Sequence, residues 1–174
     1  MELLFLDKLT DKNELHSYKR VYDKYLSKLG KGKKVLEIGV QRGGSVITWA
    51  ATGSDVYGID IEDCPAWLFH PRIHLAKGNA YSLPAIEHFK KIGKFSMIVE
   101  DGSHKPEDIV WAAKWYSELL EDDGVMIVED IPDDATVAEL KKIPGFYTVE
   151  FDLRSVKGRW DDRVVVLERI KNTV

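Results

Sequence analysis

Glu37-Ile38-Gly39-Val40-Gln41-Arg42-Gly43-Gly44-Ser45 is the stretch on which the fold turns. It grows out of Lys33–Ile38, a short apolar run that reads as a first strand. It leads into Ser45–Ala51, which reads as a short helix. Strand, glycine-rich turn and helix open a wound parallel sheet, where ligands sit at the carboxyl ends of the strands. Glycines there permit positive φ and let the backbone approach a ligand closely. A diphosphate binder would carry G-x-G-x-x-G, with the phosphates at the helix amino end. This loop runs E-x-G-x-x-x-G instead, and Glu37 would repel a phosphate. Glu37, Gly39 and Gly43 therefore suit a ligand with an ammonium group and no phosphates. The plainer alternative is a glycine-rich turn with no ligand.

Outward from this loop the same alternation recurs. Further strands are expected at Asp55–Ile59, Arg72–Ala76, Phe95–Val99, Val125–Val128, Phe146–Leu153 and Arg163–Arg169. Helical patterns fall at His16–Leu29, Ser82–Phe89, Pro106–Glu121 and Asp133–Lys142. In the third of these, Ile109, Ala112, Ala113, Tyr116, Leu119 and Leu120 share one face, with Trp111 and Trp115 opposite it. The pattern predicts an α/β, Rossmann-like, doubly wound and mostly parallel seven-stranded sheet with helices on both faces. Only the loop Arg154–Asp162 separates the last two strands, so they should form an antiparallel C-terminal hairpin. That loop is either a flap over a substrate or an ordinary polar turn.

A single domain is expected over residues 1–174, with a leader and helix over 1–30 and the core over 31–174. Of 174 residues, 44% are hydrophobic and 31% charged, which suits one packed core rather than a disordered chain. The net charge of −4 and the lack of a basic run argue against nucleic acid as a partner. Cys64 stands alone, which excludes an internal disulfide and a thiolate zinc cluster. The opening Met1–Leu6 lacks a signal peptide's basic start, and no apolar stretch has the length of a membrane span. These features predict a cytoplasmic protein without a membrane partner, and a homo-oligomer is compatible with them.

Asp60 closes the second strand. An acid there commonly grips both hydroxyls of a ribose, and helix capping is the alternative. Glu37 and Asp60 together describe an adenosine ligand with an amino-acid end. Here the sequence resembles a known family. Glu37, Gly39 and Gly43 resemble the first motif of class I S-adenosylmethionine-dependent methyltransferases, and Asp60 resembles the second. Gly78-Asn79-Ala80 lies where that family contacts adenine, so the resemblance makes Asn79 and Ala80 cofactor contacts. A narrower likeness adds detail. Thr10-Asp11-Lys12, His16, Tyr18 and Tyr22 are similar to the leading segment of macrocin- and mycinamicin-type sugar O-methyltransferases. Asp101-Gly102-Ser103-His104 and Glu129-Asp130 resemble the metal and base motifs of that group. Cephalosporin-hydroxylase-like and rhamnosyl O-methyltransferase proteins share a similar acidic pattern. The resemblance implies that Asp101, Glu129 and Asp130 hold magnesium, that Asp101 also faces the cofactor, and that His104 is the base.

Read without the family, the same residues point the same way. Asp101 leaves the fourth strand, and Glu129 and Asp130 leave the fifth, so three carboxylates should converge. Unpaired, they would repel one another and raise a pKa. A hard divalent cation such as Mg2+ would relieve this, and caps of the following turns are the alternative. A neutral His104 could then take a proton from a hydroxyl. The expected activity is Mg2+-assisted O-methylation of a small hydroxylated molecule, with a sugar among the candidates. The competing readings are a catechol-type methyltransferase, an NAD-dependent oxidoreductase and a cofactor-binding module without turnover.

Overall fold

The computed structural model describes Leu3, Phe5 and residues 8–170. Within the opening Met1–Leu6, only Leu3 and Phe5 therefore fall among the described residues. Seven strands form one sheet: β1 (Lys34–Ile38), β2 (Asp55–Asp60), β3 (Ile73–Lys77), β4 (Phe95–Glu100), β5 (Leu120–Val128), β6 (Phe146–Asp152) and β7 (Arg163–Arg169). Their order across the sheet is β3-β2-β1-β4-β5-β7-β6. The first five run parallel, and β7 pairs antiparallel with both β5 and β6. The expected wound sheet and closing hairpin are both present, with β7 inserted between β5 and β6. The strand order reverses between β1 and β4, which makes that edge the switch point for a ligand.

Helices cover both faces. On one, α3 (Leu83–Ile92), α4 (Pro106–Tyr116) and α5 (Asp134–Leu140) bury Ile86, Phe89, Ile109, Ala113 and Leu140 against Leu36, Ile38, Ile98 and Val128. On the other lie the leader, with its short α1 (Lys19–Tyr22), and α2 (Gly44–Ala51). They bury Leu3, Phe5, Tyr18, Tyr22, Val46 and Trp49 against Val35, Met97, Val99 and Ile127. Strand residues alternate between the faces. Leu36 and Ile38 belong to the α3–α5 side, so Glu37 between them points to the leader side.

Several elements differ from the sequence expectation. His16–Leu29 is one turn of α-helix followed by a 3-10 segment, Asp23–Lys28, kinked at Tyr25. The aromatic residues there are spent on packing and on side-chain hydrogen bonds into the sheet, described below, which a straight helix would not aim. The long helix stops at Tyr116. Leu120 and Glu121, expected at its end, begin β5 because Leu120 pairs with Phe95. Arg154–Asp162 holds a helical turn, α6 (Arg154–Lys157), ended by Gly158 in the left-handed conformation. Trp111 is half-buried against Tyr81, Tyr116 and Trp115, so it packs as well as facing outward. Among the described residues, no helix is long and apolar enough to cross a membrane.

Candidate active site

Four chain exits lie side by side at the carboxyl edge. The ladder continues one residue past the strands: Gly39 N donates to Ile59 O at 3.0 Å, Asp101 N to Ile38 O at 2.9 Å and Glu129 N to Glu100 O at 3.0 Å. The turns after β1, β2, β4 and β5 are therefore held at a common level. They surround a cavity of about 590 Å³. Its wall includes Gly39, Asp60, Asn79, Ala80, Asp101, His104 and Asp130, and the leader contributes Leu9, Thr10 and Asp11. Five aspartates line it (Asp11, Asp60, Asp101, Asp108 and Asp130), against Lys105 and His104.

Asp60 sits at the β1–β2 side. Its Oδ2 accepts from the backbone N–H of Val40 and Gln41, both at 2.8 Å, and its Oδ1 accepts from Glu62 N at 2.9 Å. The carboxylate thus fixes the first loop and, with about four lone-pair sites, still has room for a ligand hydroxyl. Gly39, at φ 86°, approaches the chain after β4 so closely that a Cβ would lie 1.9 Å from Asp101 O. Its need for glycine is already explained by this packing. Gly102 is confined in the same way: a Cβ would meet the Tyr81 hydroxyl at 2.1 Å. That hydroxyl donates to Glu100 Oε1 at 2.6 Å and accepts from Ser103 N at 2.7 Å. Burial pushes Glu100 up to about 7, with Tyr81 opposing the rise.

Glu37, Gly43 and Glu129, expected at the ligand, stand back from the cavity wall. Gly43, in the left-handed conformation before α2, is packed by Leu68, and a Cβ would lie 2.3 Å from its Cδ2. Glu37 is 0% exposed and is claimed by its own chain. It accepts from Ser45 Oγ at 2.5 Å and Trp49 Nε1 at 3.0 Å, and lies 3.7 Å from Lys12 Nζ. Burial pushes its carboxyl up to about 7. Its position behind Ser45, which does line the cavity, follows from strand alternation.

The acids that converge are Glu37, Asp101 and Glu129, and a lysine lies at their centre. Lys12 is 1% exposed. Its ammonium donates to Asp101 Oδ2 at 2.6 Å and to Glu129 Oε2. The other Glu129 oxygen accepts from Tyr22 OH at 2.5 Å. Burial alone would lower the Lys12 pKa, but the three carboxylates overcome this and hold it well above its ordinary value. Burial also drives Glu129 up despite Lys12. For Asp101 burial works against the charge too, yet Lys12 and His104 hold it at about 2. Part of the neutralisation that the sequence suggested for a metal is therefore supplied by an ammonium from the leader.

Asp130 and His104 face the cavity differently. Both have left-handed backbones, φ 51° and 57°, and so does Gln41 at 47°. These are the three positive-φ non-glycine positions among the described residues, and all three line the cavity. Such conformations cost energy and concentrate at functional sites. His104 Nε2 lies 3.3 Å from Asp101 Oδ1 and 3.3 Å from Asp130 Oδ2. The hydrogen bond to Asp101 lifts its pKa to about 9 against partial burial. Asp130 Oδ1 accepts from Tyr18 OH at 2.5 Å, and burial together with Asp101 pushes this carboxyl up.

Asp101, His104 and Asp130 place one ligand atom each within 4.8 Å of one another, close enough for one cation to reach all three. Two carboxylates open to the cavity fit a hard divalent ion. Glu129, expected as a third ligand, faces Lys12 and Tyr22 instead. Sequence reasoning gave Lys12, Tyr18 and Tyr22 no contacts of their own, and passed over Tyr81 and Ser45. The available signal was the charge balance: three acids on one face of a buried sheet require a cation, and Lys12 is the lysine among the buried leader residues.

No family model matches the chain, and a search of curated proteins returns no match. Solved structures do match. The chain superposes on "MycE Methyltransferase from the Mycinamycin Biosynthetic Pathway in Complex with Mg and SAH" with a TM-score of 0.73 at 19% identity. That alignment covers 94% of this chain and 53% of the other, so the chain spans about half of that protein. The chain has the methyltransferase fold. A Streptococcus thermophilus rRNA methylase matches at TM-score 0.67 and 16% identity, over 88% of this chain and 96% of that one. A Burkholderia thailandensis 1,6-didemethyltoxoflavin-N1-methyltransferase, with 1,6-didemethyltoxoflavin and S-adenosylhomocysteine bound, matches at TM-score 0.69 and 15% identity. It covers 96% of this chain and 84% of that one.

Proposed function

We propose that this protein is an S-adenosylmethionine-dependent O-methyltransferase for a small hydroxylated molecule, assisted by a divalent cation. The observation that carries the reading is the aspartate-lined cavity at the β1–β4 switch point. It favours a sulfonium ligand with an ammonium group and disfavours the diphosphate of a nicotinamide cofactor. Asp60 would accept from the ribose hydroxyls, and Asn79 and Ala80 would border the adenine. Asp101 lies across the cavity, where a cationic end of the ligand would meet it. When bound, the sulfonium supplies the methyl group to the acceptor oxygen.

Asp101 and Asp130 would hold Mg2+, which supplies charge that lowers the pKa of a bound hydroxyl. His104, between the same two carboxylates, would take the hydroxyl's proton at Nε2. The metal-free geometry holds that nitrogen protonated. Cation charge on Asp101 and Asp130 would favour the neutral imidazole that a base requires. The acceptor would be a sugar or another small hydroxyl compound, as the resemblance to sugar O-methyltransferases implies; the MycE complex with Mg and SAH holds Mycinamycin VI. The aligned approach of oxygen to methyl would provide much of the acceleration.

Isothermal titration calorimetry tests the cofactor. S-adenosylhomocysteine should bind the parent protein and bind Asp60→Ala much more weakly, and a preference for NAD would defeat the reading. With an acceptor panel, methyl transfer should stop in EDTA and resume with Mg2+, while His104→Ala should lose turnover and keep S-adenosylhomocysteine binding.

A further inference from the structure

A second group of potential ligands lies behind Asp130, away from the cavity. His16 is 2% exposed, and no hydrogen bond reaches its Nδ1. This nitrogen lies 3.7 Å from Asp130 Oδ1 and 3.6 Å from Asp162 Oδ1, too far for either to accept a proton well. Asp161 Oδ1 and Asp162 Oδ2 are also buried without a partner. His16, Asp130 and Asp161 each place one ligand atom within 4.8 Å of the others. Neither His16 nor Asp161 lines the cavity.

We infer that His16, Asp130 and Asp161 form a binding site for one divalent transition-metal cation of the zinc class. Four-coordinate ligands about 2.1 Å from a metal stand roughly 3.4 Å apart, close to the 3.7 Å between His16 Nδ1 and Asp130 Oδ1. One imidazole and two carboxylates favour Zn2+, Mn2+ or Co2+ over Mg2+. Charge favours occupancy: the three carboxylates of Asp130, Asp161 and Asp162 meet Arg159, whose Nη2 donates to Asp161 Oδ2 at 2.8 Å, and the His104 imidazole, 3.3 Å from Asp130 Oδ2. The far nitrogen, His16 Nε2, faces Asp11 Oδ2 at 3.6 Å, the outer carboxylate that commonly orients a ligating histidine.

The three ligands come from separate parts of the chain: the leader, the turn after β5 and the loop before β7. The same parts are already fastened together without metal. Lys157 Nζ donates to the carbonyls of Asn13, Glu14 (2.9 Å) and His16 (2.8 Å), and Ser17 N donates to Asp162 Oδ1 at 3.2 Å. A cation here would lock the leader to the hairpin loop and fix Asp130 from behind. Asp130 would be shared between the two sites, with Oδ1 toward His16 and Oδ2 toward His104 in the cavity.

The test is a Co2+ titration of chelator-stripped protein in excess Mg2+, followed by visible absorption. One Co2+ should bind per chain with the d–d band of a low-coordinate nitrogen–oxygen site. Asp161→Asn, at a partly exposed side chain, and His16→Ala should each weaken uptake by more than the roughly 10–100-fold lost with a mere supporting partner. Asp101→Asn should leave the band in place. In the parent protein, paramagnetic broadening of backbone amide signals should centre on Ser17 and Asp162, which needs no variant. Absence of stoichiometric uptake would overturn the site. So would a band lost with Asp101→Asn but kept in Asp161→Asn, which would place the ion in the cavity and leave the magnesium reading standing.

Discussion

Removing the buried ammonium of Lys12 should destabilise the protein strongly, and in a pH-dependent way. In Lys12→Met the side chain keeps its approximate length and loses its charge. Glu37 and Glu129 are almost wholly buried, so water cannot replace their lost partner, while Asp101, at 22% exposed, borders the cavity. Deleting one member of a buried ion pair typically costs about 3–5 kcal/mol. For a chain of this size that lowers Tm by roughly 6–20 °C, at about 2–4 °C per kcal/mol. The loss has a ceiling, because an abandoned carboxylate can take up a proton. Glu37 already sits at about 7 with Lys12 present. Proton uptake becomes cheaper by about 1.4 kcal/mol for each pH unit of acidification. A carboxylate that stays ionised in the parent, as Asp101 does at about 2, and takes up a proton in the variant should therefore shrink the deficit by up to about 3 kcal/mol between about pH 7 and about pH 5. Glu37, already titrating in the parent, should add less than about 1 kcal/mol. Calorimetric melting of parent and variant at both pH values measures this. A Tm within about 2 °C of the parent at neutral pH, or a deficit that does not shrink on acidification, would refute the assignment of Lys12 as the internal counter-ion.

Three more outcomes follow from the same geometry. Tyr22→Phe removes the donor to Glu129 and should cost about 1.5–3 kcal/mol in urea unfolding, as for a hydrogen bond to a charged acceptor; a loss below about 0.5 kcal/mol would contradict the bond. Gly39→Ala puts a Cβ 1.9 Å from the Asp101 carbonyl in a left-handed position and should cost about 2–4 kcal/mol, or prevent folding, whereas parent-like unfolding would contradict the close approach. In EDTA, His104 should stabilise the fold fully below its unfolded pKa of about 6.5. That contribution is lost as pH rises through about 9, because its folded pKa is the higher one. Urea unfolding of the parent and His104→Asn across this range should show the stability gap closing with rising pH, and a constant gap would count against the Asp101–His104 pairing.

How much of this was legible in the sequence depended on what each residue's neighbours could enforce. Apolar runs such as Val35-Leu36 and Ile98-Val99 have few places to go, so the sheet and its hairpin read directly from them. Asp60 closes β2, and Asp101 and His104 lie one and four residues past β4, where the fold itself carries them to the cavity. Glu37 and Glu129 lie next to the turn in sequence but alternate onto the leader face, away from the cavity wall. Alternation applied from Leu36 through Ile38, and from Val128 to Glu129, would have predicted that they face each other across β4. Asp130 escapes this rule through its left-handed backbone, which periodicity does not encode. The Lys12 contacts span 89 and 117 positions along the chain, and no local pattern announces a pairing that distant. The same holds for the early end of α4, which long-range pairing of Leu120 with Phe95 imposes on a segment whose own pattern would continue the helix.

Gln41, His104 and Asp130 keep side chains where glycine would sit with less torsional cost. Glycine at Gln41 should relax the first turn and toughen the molecule against heat while loosening the loop that Asp60 holds. A search for thermally hardened variants would then be drawn to the rim of the cavity. The substitutions most rewarded there would be the ones that blunt whatever the rim was shaped to grip.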